Sequence, residues 1–272
     1  MKTVNSAQLS VIRPGKRIAI PIFIAFILTF FMGIGSASAR LTAKANHDHI
    51  NIDFFYHGST VGVSGMTDPD TELIIKIASP EGHESLKEKG KVGGILWMNV
   101  GTRKFENVPN LYAIHSTRKL DDMLSREELD RYVIGYPALG RHVEIDPVTT
   151  PEEKATWFDE FLKYKERSKL YAATDGKIEM KEKDGAQSYY ILTQWPYQAP
   201  PGEYLVTVYA VKDGKVVDQA ESRVQVAQAG LVKTLAGMAK NNAALYGMIS
   251  IISALGAGFG VGLVFRKGGG AH

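Results

Sequence analysis

"PPGEYLVTVYAVKDGKVVDQAESRVQV", residues 200–226, carries the strongest structural signal in this chain of 272 residues. Apolar side chains recur at every second position through Tyr204, Val206 and Val208, a period that is typical of a β-strand with one buried face. Asp213 and Gly214 then supply the positive φ angles that a tight hairpin turn requires. The stretch therefore predicts two long antiparallel strands joined by a two-residue turn.

The start of this hairpin resembles the last two strands of an immunoglobulin-like sandwich, where a tyrosine turns a corner, and Tyr204 fits that position. A second Asp-Gly pair at 184–185 predicts another hairpin. An earlier part of the chain is also rich in strand-like runs, which cover residues 50–56, 61–63, 73–77, 95–100 and 111–115, with a turn at 57–59 between the first two. We predict a mainly β fold, an immunoglobulin-like β-sandwich assembled from both parts. Two separate small sandwiches are the alternative.

Several side chains in these parts have predicted environments. Alternation from Ile50 to Tyr56 places Phe54 on the same face as Ile50 and Ile52. The charged, glycine-flanked run at 82–91 is typical of a solvated loop rather than an anion site. The three tryptophans lie within apolar patterns and are expected in the core rather than around a pocket; they are Trp97, Trp157 and Trp195.

Residues 120–170 are predicted to form a helical insertion in the sandwich. Ser125 with Glu128, and Thr150 with Glu153, have the spacing of capping boxes, so each pair is expected to open a helix. The second helix should run over about 151–170. Its apolar stripe is formed by Ala155, Phe158, Phe161 and Leu162.

The C-terminal part predicts a transmembrane helix over 243–265, because these 23 residues contain no charged side chain. At helical rise they span about 34 Å, enough to cross a hydrocarbon core of about 30 Å. Four small residues recur every four positions, which predicts a groove for close packing of another helix. They are Ser250, Ala254, Gly258 and Gly262. Residues 229–242 form a juxtamembrane segment that either lies at the interface or extends this helix.

The N-terminal 39 residues are typical of a signal peptide. Basic residues precede an apolar run at 18–32, and Ala37 and Ala39 form a cleavage pattern before Arg40. An uncleaved signal would form a second membrane helix. In both cases the basic flanks predict that the domain at 40–228 is exported and that residues 266–272 form a cytoplasmic tail. We therefore predict that the protein lies in the bacterial inner membrane, with its globular domain in the periplasm.

Composition excludes several classes of function. The chain has 32 basic and 29 acidic residues, but without the four basic residues before Ile18 and the two after Phe265 the balance is 26 against 29. This slightly acidic domain has no electrostatic reason to bind nucleic acid. The chain has no cysteine, which excludes disulfides, thiol nucleophiles and thiolate metal ligands.

Catalytic motifs are missing from the sequence, so we predict neither an enzyme nor a cofactor. His83 opens a sequence like the H-E-x-x-H zinc motif, but Lys87 stands where the second histidine is needed. The remaining candidate chemistry is a metal site for zinc or copper. Its candidate ligands are His47, His49, His57 and His83. A solvated polar leader is the competing interpretation of the first two.

Three stretches carry a family resemblance, and they cover residues 90–124, 200–217 and 241–267. The tryptophan-containing run at 94–100, the sequence FENVPNLYAIHSTRKLDDM at 105–123 and the Leu-Tyr-Gly entry to the predicted span resemble the putative transmembrane protein family of alphaproteobacteria. The family has no established activity, so the resemblance implies topology and no catalytic residues. It also implies an accessory role beside a sulfite-exporter-type permease.

The most consistent interpretation is a single-pass membrane protein that acts as an accessory or interaction subunit of a transporter-type complex. Its partners would be the lipid bilayer and either a polytopic membrane protein or a second copy of the chain. The alternative is a periplasmic protein that binds a small anion or a divalent metal.

Overall fold

The computed structural model describes residues 40–183 and 185–266. The predicted signal peptide at 1–39, Asp184 and the tail beyond Arg266 lie outside the described residues. Within them the chain is mainly β, in agreement with the prediction. The strands are β1 (Lys44–Ala45), β2 (His49–Ile52), β3 (Ser59–Thr67), β4 (Glu72–Ala78), β5 (Glu81–Val92), β6 (Leu96–Pro109), β7 (Tyr112–Ser116), β8 (Glu144–Asp146), β9 (Tyr171–Asp175), β10 (Glu179–Lys183), β11 (Ala186–Trp195), β12 (Gly202–Lys212) and β13 (Lys215–Gln228). The helices are α1 (Leu120–Met123), α2 (Arg126–Tyr132), α3 (Tyr136–His142), α4 (Pro151–Arg167), α5 (Gly230–Asn241) and α6 (Ala243–Arg266).

A six-stranded sheet of order β2-β13-β12-β4-β7-β9 forms the middle of the fold. A four-stranded sheet of order β1-β3-β11-β10 faces it and completes a β-sandwich. Strands from the early and the late parts of the sequence pair directly, β3 with β11 and β4 with β12. The two strand-rich parts therefore form one sandwich and not two. Its immunoglobulin-like character stays a prediction.

The two faces of the six-stranded sheet are both buried, and each belongs to a different core. In β4, Ile75 and Ile77 pack against the four-stranded sheet, whereas Ile74 points to the opposite side. In β12, Val208 and Tyr209 divide in the same way. Successive strand residues point to opposite faces, so these continuous apolar runs are expected of a sheet covered on both sides.

The predicted helical insertion covers the second face. It connects β7 to β9, which are parallel neighbours at the edge of the sheet. Parallel strands cannot be joined by a tight turn and require a long crossover connection, which the insertion provides. Helices α1 to α4 and the small sheet β5-β6-β8 pack here around Tyr112, Phe161 and Tyr171. The ring of Phe161 stacks on that of Phe105 in β6, with 4.6 Å between their centroids.

Both capping predictions are confirmed. Ser125 Oγ accepts a hydrogen bond from the Glu128 amide at 3.3 Å, and Thr150 Oγ1 accepts one from the Glu153 amide at 3.1 Å. The glutamates bond elsewhere, since the Glu128 carboxylate accepts from the Val216 amide at 3.1 Å. Helix α4 ends at Arg167, three residues before the predicted end.

The apolar stripe of α4 differs from the prediction at two positions. Phe158 and Phe161 are buried as expected, but Ala155 is exposed. Lys165 is buried instead and lies over the rings of Phe161 and Tyr171, with its Nζ 5.4 and 5.6 Å from their centroids. It forms an ion pair with Glu84 of β5, a contact that the pattern of a single helix does not contain.

The largest error of the sequence interpretation concerns residues 81–109. The predicted loop at 82–91 is strand β5. The runs predicted at 95–100 and 111–115 are separate strands as expected, β6 and β7, but β6 continues to Pro109 through most of the predicted break at 106–110. Strands β5 and β6 form a long hairpin. Trp97 is exposed, in contrast to the prediction, whereas Trp195 is buried as expected. Strand β2 ends at Ile52, short of the end of the predicted run at 50–56, so Phe54 lies outside the strand and is exposed.

The predicted hairpin of β12 and β13 is confirmed. Asp213 and Gly214 have φ angles of 51° and 76°, and Lys212 pairs with Lys215 across the turn. The hydroxyl of Tyr204 donates to the Pro200 carbonyl at 2.5 Å, which fixes the corner before β12.

The C-terminal segment forms two helices. Asn242 separates α5 from α6 with non-helical angles of φ −141° and ψ 59°. Helix α6 covers the predicted span, and residues Ala243–Leu263 are long and apolar enough to cross a membrane. None of the α5 side chains is buried.

Candidate functional site

The β5–β6 hairpin is anchored at its base by apolar and ionic contacts. Phe105 and Val108 of β6 are buried in the second core. Arg103 lies between Glu88 and Glu153, with its Nη2 3.3 and 3.4 Å from their carboxylate oxygens. Its guanidinium carbon is 4.9 Å from the centroid of the Trp157 ring. The contacts with Glu153 and Trp157 attach the base of the hairpin to α4.

The far end of the hairpin is different, because only its own two strands pair there. Strand β8 pairs with residues 104–106 of β6, and beyond them the described residues provide no third strand. Gly93 and Gly94 close the turn with φ angles of 62° and 75°. A two-stranded ribbon cannot bury both faces of its strands, so the side chains at this end meet solvent.

This end carries an exposed apolar surface, which we call the apolar tip. Trp97 is 67% exposed and Ile95 is 83% exposed, although both are large apolar side chains. A contiguous exposed apolar patch generally marks a site of contact with a protein or a membrane. The apolar tip consists of Val92, Ile95, Leu96, Trp97, Met98 and Val100.

Basic residues flank the apolar tip. Lys87, Lys89 and Lys91 recur at every second position of β5 and are all exposed. Lys91 Nζ lies 5.4 Å from the centroid of the Trp97 ring, close enough for a cation–π contact. The hairpin end therefore combines an apolar centre with a positively charged edge.

Helix α6 places the four predicted helix-packing residues along one side at four-residue intervals. All four are exposed; they are Ser250, Ala254, Gly258 and Gly262. Ser250 Oγ donates to the Tyr246 carbonyl at 2.8 Å, so its hydroxyl is satisfied within the helix. A Cβ atom added at Gly258 or Gly262 would meet no heavy atom within 4 Å, apart from the nearby backbone of its own helix. The structure leaves this face open to another helix.

The four candidate metal-binding histidines do not come together. His47, His49, His57 and His83 are all exposed, and the described residues contain no group of three or more histidine, aspartate or glutamate side chains that could hold a metal ion. His49 lies 3.3 Å from the Asp48 carboxylate, and its hydrogen bond lowers the pKa of that carboxyl group. His57 Nδ1 lies 2.5 Å from the Phe55 carbonyl oxygen.

A fifth histidine, His115, occupies a more constrained place. It is buried in β7 and bridges the two sheets, because Nδ1 lies 2.6 Å from Thr174 Oγ1 in β9 and Nε2 lies 3.1 Å from Thr193 Oγ1 in β11. Burial, and secondly the charge of Lys177, lower its pKa to about 4. His115 is therefore neutral at pH 7.

A cleft of about 730 Å³ opens beside His115 between the edges of the two sheets. Its lining includes hydroxyl donors from Thr174 and Thr193 and two lysines, Lys169 and Lys177. The charged lining also contains one carboxylate, that of Glu166. The balance of donors and cations suits a small anion better than a metal cation.

A second cleft of about 530 Å³ contains Lys76. Its Nζ donates to the Tyr132 carbonyl at 2.6 Å and lies 5.5 Å from the centroid of the Tyr209 ring. Burial lowers the pKa of Lys76 to about 8, while Glu81 and Glu221 oppose that shift. Since its amine is already held by a carbonyl, this geometry fits a structural lysine and not a nucleophile.

Sequence reasoning missed the apolar tip and His115 for different reasons. The apolar run around Trp97 has the sequence pattern of a buried strand. Its exposure follows only from the sheet topology, since the described residues place no further strand beside this part of the hairpin. The glycine pair before it was the available signal, because Gly93-Gly94 favours a hairpin turn. His115 has no local signal, since its partners come from β9 and β11.

Comparison with protein families shows which family this chain resembles over most of its length. The family model described as "Putative transmembrane protein (Alph_Pro_TM)" matches residues 40–267, which is most of the chain. Comparison with curated proteins and with solved structures gives no match.

Proposed function

This chain belongs to the Alph_Pro_TM family of putative transmembrane proteins, and from that premise we propose that it is a non-enzymatic accessory subunit of a membrane complex. Its β-sandwich would bind a polytopic membrane protein of the transporter type. The chain is associated with the membrane through α6, the apolar helix that is able to span it.

The apolar tip is the observation that carries this proposal. Six large apolar side chains lie exposed at the end of a hairpin whose base is firmly packed. Covering this surface with a partner would be favourable by about 25 cal/mol for each Å² of apolar area removed from water. A packed base and an apolar end are the features that a binding arm requires.

The open face of α6 offers a second contact with the same partner. Small side chains allow two helix backbones to approach closely, which strengthens van der Waals packing in lipid. Within residues 40–183 and 185–266, α6 is the one helix long and apolar enough to cross a membrane, so this part of the chain offers no second span to fill the face. A second copy of the chain is the other occupant that this face could accept.

We place the sandwich in the periplasm and the C-terminus in the cytoplasm of a bacterial cell. The basic residues beyond Phe265 and those near the N-terminus support this orientation by the positive-inside rule. A reporter fused after His272 should behave as cytoplasmic in a topology assay. A periplasmic signal from that fusion would contradict this part of the proposal.

The partner test uses affinity purification of the full chain from mild detergent, followed by mass spectrometry. We expect a polytopic membrane protein in the eluate, with a sulfite-exporter-type permease as the first candidate. Replacement of Leu96 and Trp97 by Ser should remove that protein from the eluate. The Val217→Ser variant is the matched control, because Val217 is an exposed apolar strand residue outside the apolar tip.

Both tip positions are exposed, so these substitutions should leave the unfolding midpoint unchanged. Loss of the partner at an unchanged midpoint supports the proposal. Undiminished recovery of the partner with the tip variant would overturn it.

The helix face is tested separately with Gly258→Ile and Gly262→Ile. Gly256 and Gly260 lie about 200° around the helix from these positions, so their replacement by Ile adds equal bulk on the other side. The first pair should abolish co-purification and the second should not. Equal effects of the two pairs would remove the groove from the proposal.

A second candidate function is capture of a small anion in the cleft beside His115. The lysines and threonine hydroxyls of that cleft favour it. Calorimetry with sulfite and sulfate on residues 40–228 should then show binding that Lys177→Ala weakens. Zinc and copper serve as the metal alternatives. No heat with any of the four ions would remove this candidate.

A further inference from the structure

Strand register places residues 53–56 beside the point where the chain leaves the sandwich. Strands β2 and β13 are parallel neighbours, and Ile52 at the end of β2 lies opposite Gln228 at the end of β13. The amide of Ala229 donates to the Ile52 carbonyl at 2.9 Å. The turn after Ile52 and the first residue of α5 therefore lie at the same end of the sheet, which we call the exit end.

Two phenylalanines are held outward in this turn. The Asp53 carboxylate accepts a hydrogen bond from the Phe55 amide at 2.9 Å, and the Asp53 carbonyl accepts one from the Tyr56 amide at 3.3 Å. The rings of Phe54 and Phe55 pack edge to face, with 5.2 Å between their centroids. They are 71% and 76% exposed, and neither belongs to a core.

A third exposed aromatic residue lies at the same end. Ser59 pairs with Trp195 across β3 and β11, and the chain then continues to Tyr197. A Cβ atom at Gly58 would be 3.0 Å from the Trp195 carbonyl oxygen and 3.8 Å from the Tyr197 nitrogen. The exposed side chain of Tyr197 is thus attached to backbone that borders the Phe54 turn.

Helix α5 connects the exit end to the membrane span over a short distance. Its 12 residues extend about 18 Å at helical rise. Leu231 and Leu235 are exposed one turn apart, and Lys233 lies between them in sequence on a different side. The break at Asn242 gives α5 an axis of its own, as a helix lying in the membrane interface needs.

We propose that the exit end and α5 form one lipid-contact surface, in which Phe54, Phe55 and Tyr197 rest in the interfacial layer of the bilayer that α6 crosses. Aromatic rings favour this layer, where their apolar body leaves water and their edge stays near polar groups. The leucines of α5 enter the same layer from the side. The sandwich is thereby held against the membrane in one orientation.

Lipid is the occupant that the connectivity favours. The phenylalanine turn borders the first residue of a 12-residue helix that leads directly to the span, so the bilayer is within reach of the exit end at all times. A protein partner or a second copy would have to reach the same surface between the sandwich and the lipid. The inference goes beyond the accessory function, because it holds with or without a transporter partner and on either side of the membrane.

The absence of cysteine from the chain allows a direct test by spin labelling. Phe54→Cys and Phe55→Cys variants of the full chain are labelled and placed in phospholipid nanodiscs that contain one copy each. Collisions with oxygen, which concentrates in lipid, are compared with collisions with a water-soluble nickel complex. Val217→Cys is the matched control, since this exposed position lies 11 residues before Gln228 in β13, about 36 Å away along the strand.

Labels at 54 and 55 should collide more with oxygen than with nickel, and the label at 217 should show the reverse order. All three labels lie at exposed positions, and tryptophan fluorescence verifies that each variant is folded. Nickel accessibility at 54 and 55 equal to that at 217 would overturn the proposal. Protection from nickel only in discs that contain two copies would also overturn it, and would assign the surface to a dimer.

Discussion

Tyrosine residues in the strands of this molecule use their hydroxyl groups to hold neighbouring backbone segments to the sheets. Four tyrosines with buried side chains each donate to a backbone carbonyl. Three of these carbonyls lie outside the helices and strands, and the fourth, that of Pro109, is at the end of β6. Burial also raises their pKa, to about 12 for Tyr204, so the donor proton is retained throughout the physiological range. The four pairs are Tyr112 with Val133, Tyr171 with Pro109, Tyr189 with Thr42 and Tyr204 with Pro200.

The first prediction ranks two of these tyrosines. The Tyr112 hydroxyl donates to Val133 and also accepts from the Gly135 amide at 2.9 Å, so Tyr112→Phe leaves two buried backbone groups unsatisfied. We expect it to lower the free energy of unfolding by about 2–3 kcal/mol, and Tyr204→Phe by about 1 kcal/mol. Chemical denaturation measures both. Tyr190→Phe, at an exposed ring, is the control, and equal losses for all three variants would contradict the ranking.

The second prediction concerns the pH dependence that His115 imposes. Its pKa is about 4 in the folded protein and about 6.5 when unfolded, so between these values only the unfolded chain binds the proton. Its contribution to stability is complete above pH 6.5 and is lost as the pH falls towards 4, by at most about 3 kcal/mol. His115→Asn should flatten this slope in denaturation curves. An unchanged slope in the variant would assign the effect to other groups.

At the level of elements, α4 is held to the hairpin by a charge within an apolar contact. Lys165 pairs with Glu84 and donates to the Asn110 carbonyl at 3.4 Å, between the rings of Phe161 and Tyr171. Glu84 keeps 22% of its side-chain exposure, so water partly solvates the pair. The ionic contact fixes the base of the hairpin relative to the helix, and the stacked rings of Phe105 and Phe161 support it.

The third prediction separates the pair from its surroundings. Lys165→Met leaves Glu84 without its partner and should reduce stability by about 2–3 kcal/mol. Adding Glu84→Leu should restore most of that loss, because an apolar pair needs no compensation for buried charge. A double-mutant cycle in denaturant measures the coupling free energy between the two positions. Additive losses would show that the ion pair contributes nothing specific.

Across the whole molecule, one six-stranded sheet supplies a wall to both cores. Adjacent residues of the same strand, such as Ile74 and Ile75, belong to different cores. Because both cores pack against the same sheet, neither core can lose its packing without disturbing the sheet on which the other core depends. The sandwich and its helical insertion therefore depend on each other, although they form different layers of the fold.

The fourth prediction is that both cores unfold together. Trp195 reports on the core between the sheets, and Trp157 packs against the core under the helices. With the other tryptophans replaced by Phe, each should report the same denaturation midpoint in detergent-solubilised protein. Midpoints that differ between the two tryptophans would show that the helical layer unfolds independently.

Elements whose signal lies within a few neighbouring residues were predictable. The Asp213-Gly214 hairpin, both helix caps and the apolar span each depend on contacts between residues close in sequence. The exposure of Trp97 and the burial of Lys165 were not predictable in this way. An apolar strand has the same pattern whether a neighbouring strand covers it or not, and a lysine is buried only where a distant carboxylate meets it.

For residues 40–266, the sequence by itself determined a mainly β body, a helical insertion and an apolar helix long enough to span a membrane. Alternation, capping residues and an uncharged run are local properties, and local free energy is sufficient to select these elements. Only the tertiary structure decided that β2 lies beside β13 and that β7 and β9 are parallel. It also decided that the far end of the β5–β6 hairpin has no neighbouring strand among the described residues. Those pairings join distant residues, and backbone hydrogen bonds and packing across both faces of the shared sheet select them together.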